Sequence, residues 1–245
     1  MDLTGKAALV TGGSRGIGAA IARQLARQGA DVAITYVSAQ AQAEEVVAQI
    51  RALGRTGLAI HADNVDMLAV KAAVERAAAE FGRLDILVNN AGIALMGPLQ
   101  DVTLDEIDRT LSVHVRASFV AAQAAAAHMG EGGRIINIGS CLAERVGGAG
   151  MTLYSMSKAA LTGLSKGLAF DLGPRGITAN VVQPGPTHTD MNPDSSADAD
   201  RQRAQLALGH FGSADDVAAM VAHLAGPGGR FITGTSIAVD GGHAA

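Results

Sequence analysis

Short runs rich in β-branched and aliphatic residues alternate with longer alanine-rich stretches along this whole chain, and that alternation restricts the fold more than any other feature. Segments 7–10, 31–36, 57–61, 86–88, 134–138, 177–182 and 236–239 read as strands. Between them the periodicity predicts helices over about 16–29, 40–53, 66–82, 103–129, 152–173 and 213–225. Strand, helix and strand repeated in this order build a parallel sheet through right-handed crossovers, with helices on both faces. No composition shift marks an internal boundary. Residues 1–245 are therefore expected to form one doubly wound α/β domain around a seven-stranded parallel sheet.

Composition suits that architecture and removes several function classes. Hydrophobic residues make up 48% of the chain, aromatics only 3%, and tryptophan is absent, so the interior must be built from Ala, Val, Ile and Leu. Few aromatics remain to stack on bases. The formal charge of -4, with no Lys/Arg block, argues against a nucleic-acid partner and against a polybasic membrane contact. One cysteine, Cys141, excludes an internal disulfide and points to a reducing, cytoplasmic setting. The opening residues Met1 to Lys6 lack the basic region and cleavage site of a signal peptide, and no apolar stretch is long enough to span a bilayer. The seven histidines fall in no metal-ligand spacing, so no metal site is expected.

Thr11-Gly12-Gly13-Ser14-Arg15-Gly16-Ile17-Gly18 ends the first strand and opens the first helix. Glycines there permit a tight turn and close approach of a pyrophosphate, while backbone N–H groups and the helix N-terminus face the anion. The end of the second strand, Ala33 to Ser38, offers no acidic residue to accept from an adenosine ribose hydroxyl. A 2′-phosphate would not be repelled there. Arg15 can pair with that phosphate and Ser38 can add a hydroxyl, with Tyr36 beside them, so NADP(H) is expected over NAD(H). A solvated loop cation is the plain alternative for Arg15.

Tyr154 and Lys158 stand four residues apart on a predicted helix and so project from one face. A fixed ammonium beside a phenol favours the phenolate and lowers a pKa that is ordinarily about 10. A drop of roughly three units corresponds to about 4 kcal/mol. Taken alone, the pair also fits a phenol packed on an alkyl stem at the surface.

Read together, these motifs resemble the short-chain dehydrogenase/reductases, in the branch of the 3-oxoacyl-acyl-carrier-protein reductases and bacterial carbonyl reductases. The resemblance runs from about Leu3 to Gly242 and rests on several groups of residues. They are the glycine turn, Asp63, Asn89-Asn90-Ala91-Gly92, Ser140, Tyr154 with Lys158, Pro184-Gly185, and the closing Ala238 to Gly242. It implies a Rossmann-type domain in which Asp63 and Asn64 meet the adenine, while Asn89, Asn90, Ala91 and Gly92 lie beside the adenosine ribose and brace the central strands. Pro184, Gly185 and Thr187 would support the nicotinamide. Asp63 as a cap of the following helix and Asn89-Asn90 as a local turn are the plain readings. The resemblance also implies that Tyr154 protonates the carbonyl oxygen during reduction, that Ser140 holds that oxygen, and that Lys158 both tunes the phenol and bonds the nicotinamide ribose. Cys141 reads as a small packing residue.

The chain departs from that family in two places. His114 stands where relatives carry an Asn that distorts the helix and holds a water against the lysine. It replaces the Asn in a proton relay, packs as a neutral bystander, or leaves the enzyme slow. In Ala127 to Gly133, Glu131 weakens the cationic patch expected of a carrier-protein reductase, although Arg175 is kept, so a free small-molecule ketone or alcohol is the expected substrate. The stretch after the sixth strand, about 186–212, is polar and loop-like and reads as a substrate lid, with helical pattern around 198–208. Within it, His188 and Asp190 read as solvated loop residues. The apolar faces of Ala121 to Ala127 and Leu161 to Leu168, with the last strand, imply a homotetramer by resemblance.

Overall fold

The computed structural model describes residues 2–245. Seven strands, β1 (Ala7–Val10), β2 (Asp31–Tyr36), β3 (Gly57–His61), β4 (Ile86–Asn89), β5 (Arg134–Ile138), β6 (Thr178–Pro184) and β7 (Ser236–Val239), form one parallel sheet of order β3-β2-β1-β4-β5-β6-β7. Every residue of β1, β4, β5 and β6 is buried, which is why these segments run apolar without alternation. β6 extends two residues beyond the segment expected from sequence, because Pro184 still pairs in register with Val239 at the strand's end.

Eight α-helices connect the strands: α1 (Gly16–Arg27), α2 (Gln40–Ala52), α3 (Met67–Phe81), α4 (Leu104–Leu111), α5 (Ala117–His128), α6 (Thr152–Leu172), α7 (Ala199–Arg203) and α8 (Ala214–Ala225). One core joins Val10, Ile34, Val88 and Ile136 to Ile21 and Leu25 of α1 and to Val221 and Leu224 of α8. The opposite core joins Leu9, Leu87 and Ile135 to alanines of α3 and α5. Alanine at those positions lets the helices lie close on the sheet with little side-chain entropy lost.

The helix expected over 103–129 is interrupted. A π-helical turn at Ser112–Arg116 separates α4 from α5, and from the start of α5 the Ser118 hydroxyl donates back to the His114 carbonyl at 2.6 Å. Side-chain bonding to a ladder carbonyl of this kind widens or bends a helix. The helical stretch expected around 198–208 is likewise shorter, reduced to α7, where Asp198 pairs with Arg201 and Asp200 with Arg203.

β1 pairs with β2 on one side and with β4 on the other. The chain thus winds outward in one direction through β3 and then returns to wind the other way. Such a reversal opens a crevice beyond the carboxyl ends of the two central strands, where ligands of doubly wound sheets gather.

Candidate active site

The glycine turn beyond β1 is braced from both neighbouring strands. Gly12 N–H donates to Thr35 Oγ1 at 3.0 Å and Gly13 N–H to the Thr35 carbonyl at 2.9 Å. From the β4 side, the Asn90 side-chain amide donates to the carbonyls of Thr11 and Gly12 at 2.9 and 3.0 Å, and Thr11 Oγ1 accepts from the N–H groups of Asn90 and Ala91. A Cβ on Gly18 would stand 2.4 Å from both the Asn90 amide nitrogen and the Gly12 carbonyl oxygen. Gly12 and Gly16 adopt φ of 63° and 54°.

α1 opens differently from α3, α4 and α8, whose first amides are capped by Asp66, Thr103 and Ser213. At α1 the N-cap is Arg15, no side chain caps the turn, and no acidic residue lies in it. Free amides on a glycine-floored approach fit an anionic pyrophosphate. Around this turn Ser14, Gly16 and Ile17 are half-buried, and Arg15 and Ser38 are exposed. Tyr36 meets His61 edge-on at 5.6 Å. Asp63 accepts from the Val65 N–H at 3.1 Å and Asn64 is buried, and because Asp66 caps α3, the reading of Asp63 as that cap is set aside.

The crevice also collects the acid–base candidates. Ser140 follows β5 directly and accepts from the Leu142 N–H at 3.2 Å. Tyr154 and Lys158 lie in the first turns of α6. Lys158 is buried, its ammonium donates to the Ile138 carbonyl at 2.9 Å, and Nζ lies 5.8 Å from the centre of the Tyr154 ring. Burial lowers the Lys158 pKa to about 8. It raises Tyr154 to about 12, and the neighbouring Ser140 hydroxyl only partly opposes that rise. The expected acidification of the phenol by its lysine is therefore absent from the protein alone: desolvation outweighs it.

His114, on the π-turn, is buried and neutral, its pKa pushed down to about 3 by burial and then by the Lys158 charge. Its Nε2 accepts from the Ile93 N–H at 3.0 Å, which leaves the proton on Nδ1, 2.8 Å from Ser157 Oγ. The ring stands edge-on to Tyr154, centroids 5.9 Å apart. A Cβ on Gly92 would lie 3.1 Å from His114 Nε2 and 3.5 Å from Lys158 Nζ, so glycine there keeps the two groups beside the crevice.

Asn89, implied by the resemblance to brace the central strands, reaches Asn137 and through it Ser165, partners that sequence reasoning passed over. Asn89 donates to Asn137 Oδ1 at 2.8 Å, and Asn137 donates to Ser165 at 2.8 Å, tying β4, β5 and α6 together beneath the site. The signal was an Asn within the buried, largely apolar strands ILVN and RIINI.

Pro184 ends β6, and Gly185 and Thr187 lead the chain away from the sheet, where a Cβ on Gly185 would sit 2.6 Å from Asp240 Cα and the buried Thr187 hydroxyl donates to the Gly185 carbonyl. Beyond them His188 pairs with Asp194 at 3.1 Å, and Asp190 is exposed. A cavity of about 460 Å³ is lined by His188, Asp194 and Arg203, by Arg23 of α1 and by the start of α8, and Ser140, Tyr154 and Lys158 do not line it. A smaller pocket of about 200 Å³ is bounded by Leu95 to Pro98, Gly150 and Leu153, next to Tyr154. Cys141 is buried with its thiol pKa raised to about 11, chiefly by desolvation, as suits a packing residue. Among the described residues no His/Cys/Asp/Glu group could hold a metal ion, and no helix is long and apolar enough to cross a membrane.

A doubly wound sheet whose switch-point crevice unites an open glycine turn with Ser140, Tyr154 and Lys158 defines a dinucleotide-binding oxidoreductase class. Residues 12–244 match the family model described as Enoyl-(Acyl carrier protein) reductase. A short-chain dehydrogenase from Burkholderia cenocepacia J2315, solved in complex with NADP, is 62% identical with a TM-score of 0.99 over 100% of both chains. A blue fluorescent protein from a metagenomic library, solved with NADPH, is 59% identical with a TM-score of 0.98 over 100% of both chains. The cyclic-di-GMP-binding biofilm dispersal mediator protein of Escherichia coli (strain K12) is 44% identical over 238 residues, 97% of each chain. The chain belongs to the short-chain dehydrogenase/reductase family.

Proposed function

We propose that this protein is an NADPH-dependent reductase that delivers hydride to the carbonyl carbon of a free ketone, with Tyr154 as proton donor. The observation that carries the reading is the convergence of Ser140, Tyr154 and buried Lys158 on the crevice floored by Gly12 and Gly92. The nicotinamide, when bound, supplies the hydride. The glycine turn and the uncapped start of α1 would hold the pyrophosphate, and Arg15 with Ser38 would take the adenosine 2′-phosphate. NADP and NADPH in the two solved relatives support that preference.

As charge builds on the carbonyl oxygen, Ser140 donates a hydrogen bond to it and the Tyr154 hydroxyl gives it a proton. A phenol whose pKa stands near 12 is fully protonated at neutral pH, as a donor must be. Lys158 carries the compensating positive charge beside the phenolate that results, and its ammonium would also bond the nicotinamide ribose of a bound cofactor. The groups a carrier protein would need are otherwise engaged: Arg175 donates to the carbonyls of Ala126 and Met129 at the end of α5, and His128 meets Glu75 at 2.8 Å. This favours a free substrate over a carrier-bound one. Phe119 on α5, Met156 and Phe170 on α6 and Phe231 before β7 leave apolar side chains exposed, which supports assembly as a homotetramer.

NADPH consumption against a panel of ketones, with Tyr154→Phe in parallel, tests the reading. The parent should oxidise NADPH with at least one ketone, and the variant should bind cofactor equally yet turn over at least ~100-fold more slowly. A second reading, a cofactor-holding sensor, draws on the Escherichia coli relative, a cyclic-di-GMP-binding mediator protein. Cofactor binding without consumption across the panel, in either direction, would favour it.

A further inference from the structure

We propose that His114 and Ser157 are positioning residues that lock the main chain at Tyr154 to the loop following β4, so that the proton donor and the wall of the substrate pocket move as one body. The chain of bonds is continuous. The Ile93 N–H donates to His114 Nε2 at 3.0 Å, His114 Nδ1 donates to Ser157 Oγ at 2.8 Å, and Ser157 donates to the Tyr154 carbonyl at 2.7 Å. Each direction is forced by its neighbour, because a backbone N–H can only donate and a neutral imidazole has one donor and one acceptor.

The far end of the same loop is tied down as well: Gly97 N–H donates to the Gly150 carbonyl at 2.9 Å, just before α6. Between those two ties lie Leu95 and Met96, which with Leu153 line the smaller pocket. An imidazole performs this bridging because its two polar atoms sit on opposite edges of a rigid ring, and its own edge packs against the Tyr154 phenol at 86°. With both nitrogens bonded to protein groups, the side chain acts on geometry and not by passing a proton. Displacing a reacting group by about 1 Å can cost up to about 100-fold in rate, so holding Tyr154 in place is a catalytic contribution in itself.

The catalytic half of this inference rests on Tyr154 being the proton donor; the bonding half does not, and the tests separate them. In the parent protein, nitrogen NMR of His114 should show the Nδ1–H tautomer, unchanged between about pH 5 and 9. An Nε2–H tautomer, or titration in that range, would overturn the arrangement whatever the enzyme does. In cofactor-free His114→Phe, which keeps the ring but neither bond, exchange of the Ile93 amide should quicken at least ~10-fold, and unchanged exchange would count against the lock. On an active ketone, Ser157→Ala and His114→Phe should each lower kcat about tenfold, leave KM for NADPH within about twofold and keep the inflection of the pH profile. The double variant should be no slower than His114→Phe alone, because both substitutions break one chain. Multiplying losses, an inflection that moves, or an unimpaired and folded Ser157→Ala would refute the positioning role.

Discussion

Lys158 approaches Tyr154 without acidifying it: the ammonium nitrogen lies 5.8 Å from the phenol ring centre and is spent on the Ile138 carbonyl at 2.9 Å. The phenol accordingly has its pKa raised to about 12 by burial. Because the chain holds only two tyrosines, Tyr36 and Tyr154, ultraviolet titration with Tyr36→Phe isolates the second. Tyr154 should ionise well above the ordinary phenol value of about 10 in the protein alone. Ionisation below that value without cofactor would show that the lysine already dominates.

Cofactor choice should follow charge at the end of β2. Ser38→Asp places a carboxylate where a 2′-phosphate would lie and offers an acceptor to a ribose hydroxyl. The ratio of kcat/KM for NADPH over NADH should drop at least ~10-fold, and Arg15→Ala should weaken NADPH about tenfold while leaving NADH nearly unaffected, as one charge-assisted bond would. Steady-state kinetics with both cofactors decide it, and equal effects on the two would exclude a phosphate contact.

Gly18→Ala should harm both stability and cofactor binding, since its Cβ would stand 2.4 Å from two polar atoms. Overpacking of this kind costs about 1–3 kcal/mol. Gly167→Ala, in the middle of α6 with open space around its Cβ, should hold or raise the thermal midpoint. Thermal melts and NADPH titration of the two variants side by side test the contrast.

Acid should destabilise the fold through His114. Its pKa is about 3 in the folded chain against 6.5 in the ordinary state, so between those values the unfolded chain binds a proton that the folded chain refuses. Stability therefore rises with pH across that window and is lost as pH falls below about 6.5, by on the order of 3 kcal/mol at pH ~4. Urea unfolding of the parent and of His114→Asn at neutral pH and near pH 4.5 should show a shallower loss in the variant. Parallel losses would assign the acid sensitivity to other groups.

The central strands β1, β4, β5 and β6 were legible because their burial is complete. Residues such as Ile135, Ile136 and Val88 announce a sheet covered on both sides, and the glycine turn identified the crevice for the same local reason. What could not be read is what depends on distant partners. His114 finds Ile93 and Ser157 at separations of 21 and 43 residues, and no periodicity encodes those bonds. The Tyr154 phenol was expected to be acidified by Lys158, but desolvation, a property of the folded interior, raises its pKa and lowers that of Lys158, moving both toward their neutral forms. The π-turn was legible only through the resemblance, which placed a helix-distorting position at His114; the periodicity of 103–129 by itself ran on as one helix.

That widened turn stores one residue more than an α-turn needs. A π-turn closes its bonds five residues apart instead of four, so the surplus residue bulges out locally and the α-helix resumes on either side. His114 stands in that bulge, where its ring reaches Ile93 and Ser157, while Ala121 and Ala125 further along still pack with the alanines of α3. Deleting one residue between Ser112 and Arg116 would therefore let the turn relax to α geometry and withdraw the imidazole from both partners, leaving the packed layer behind it in place.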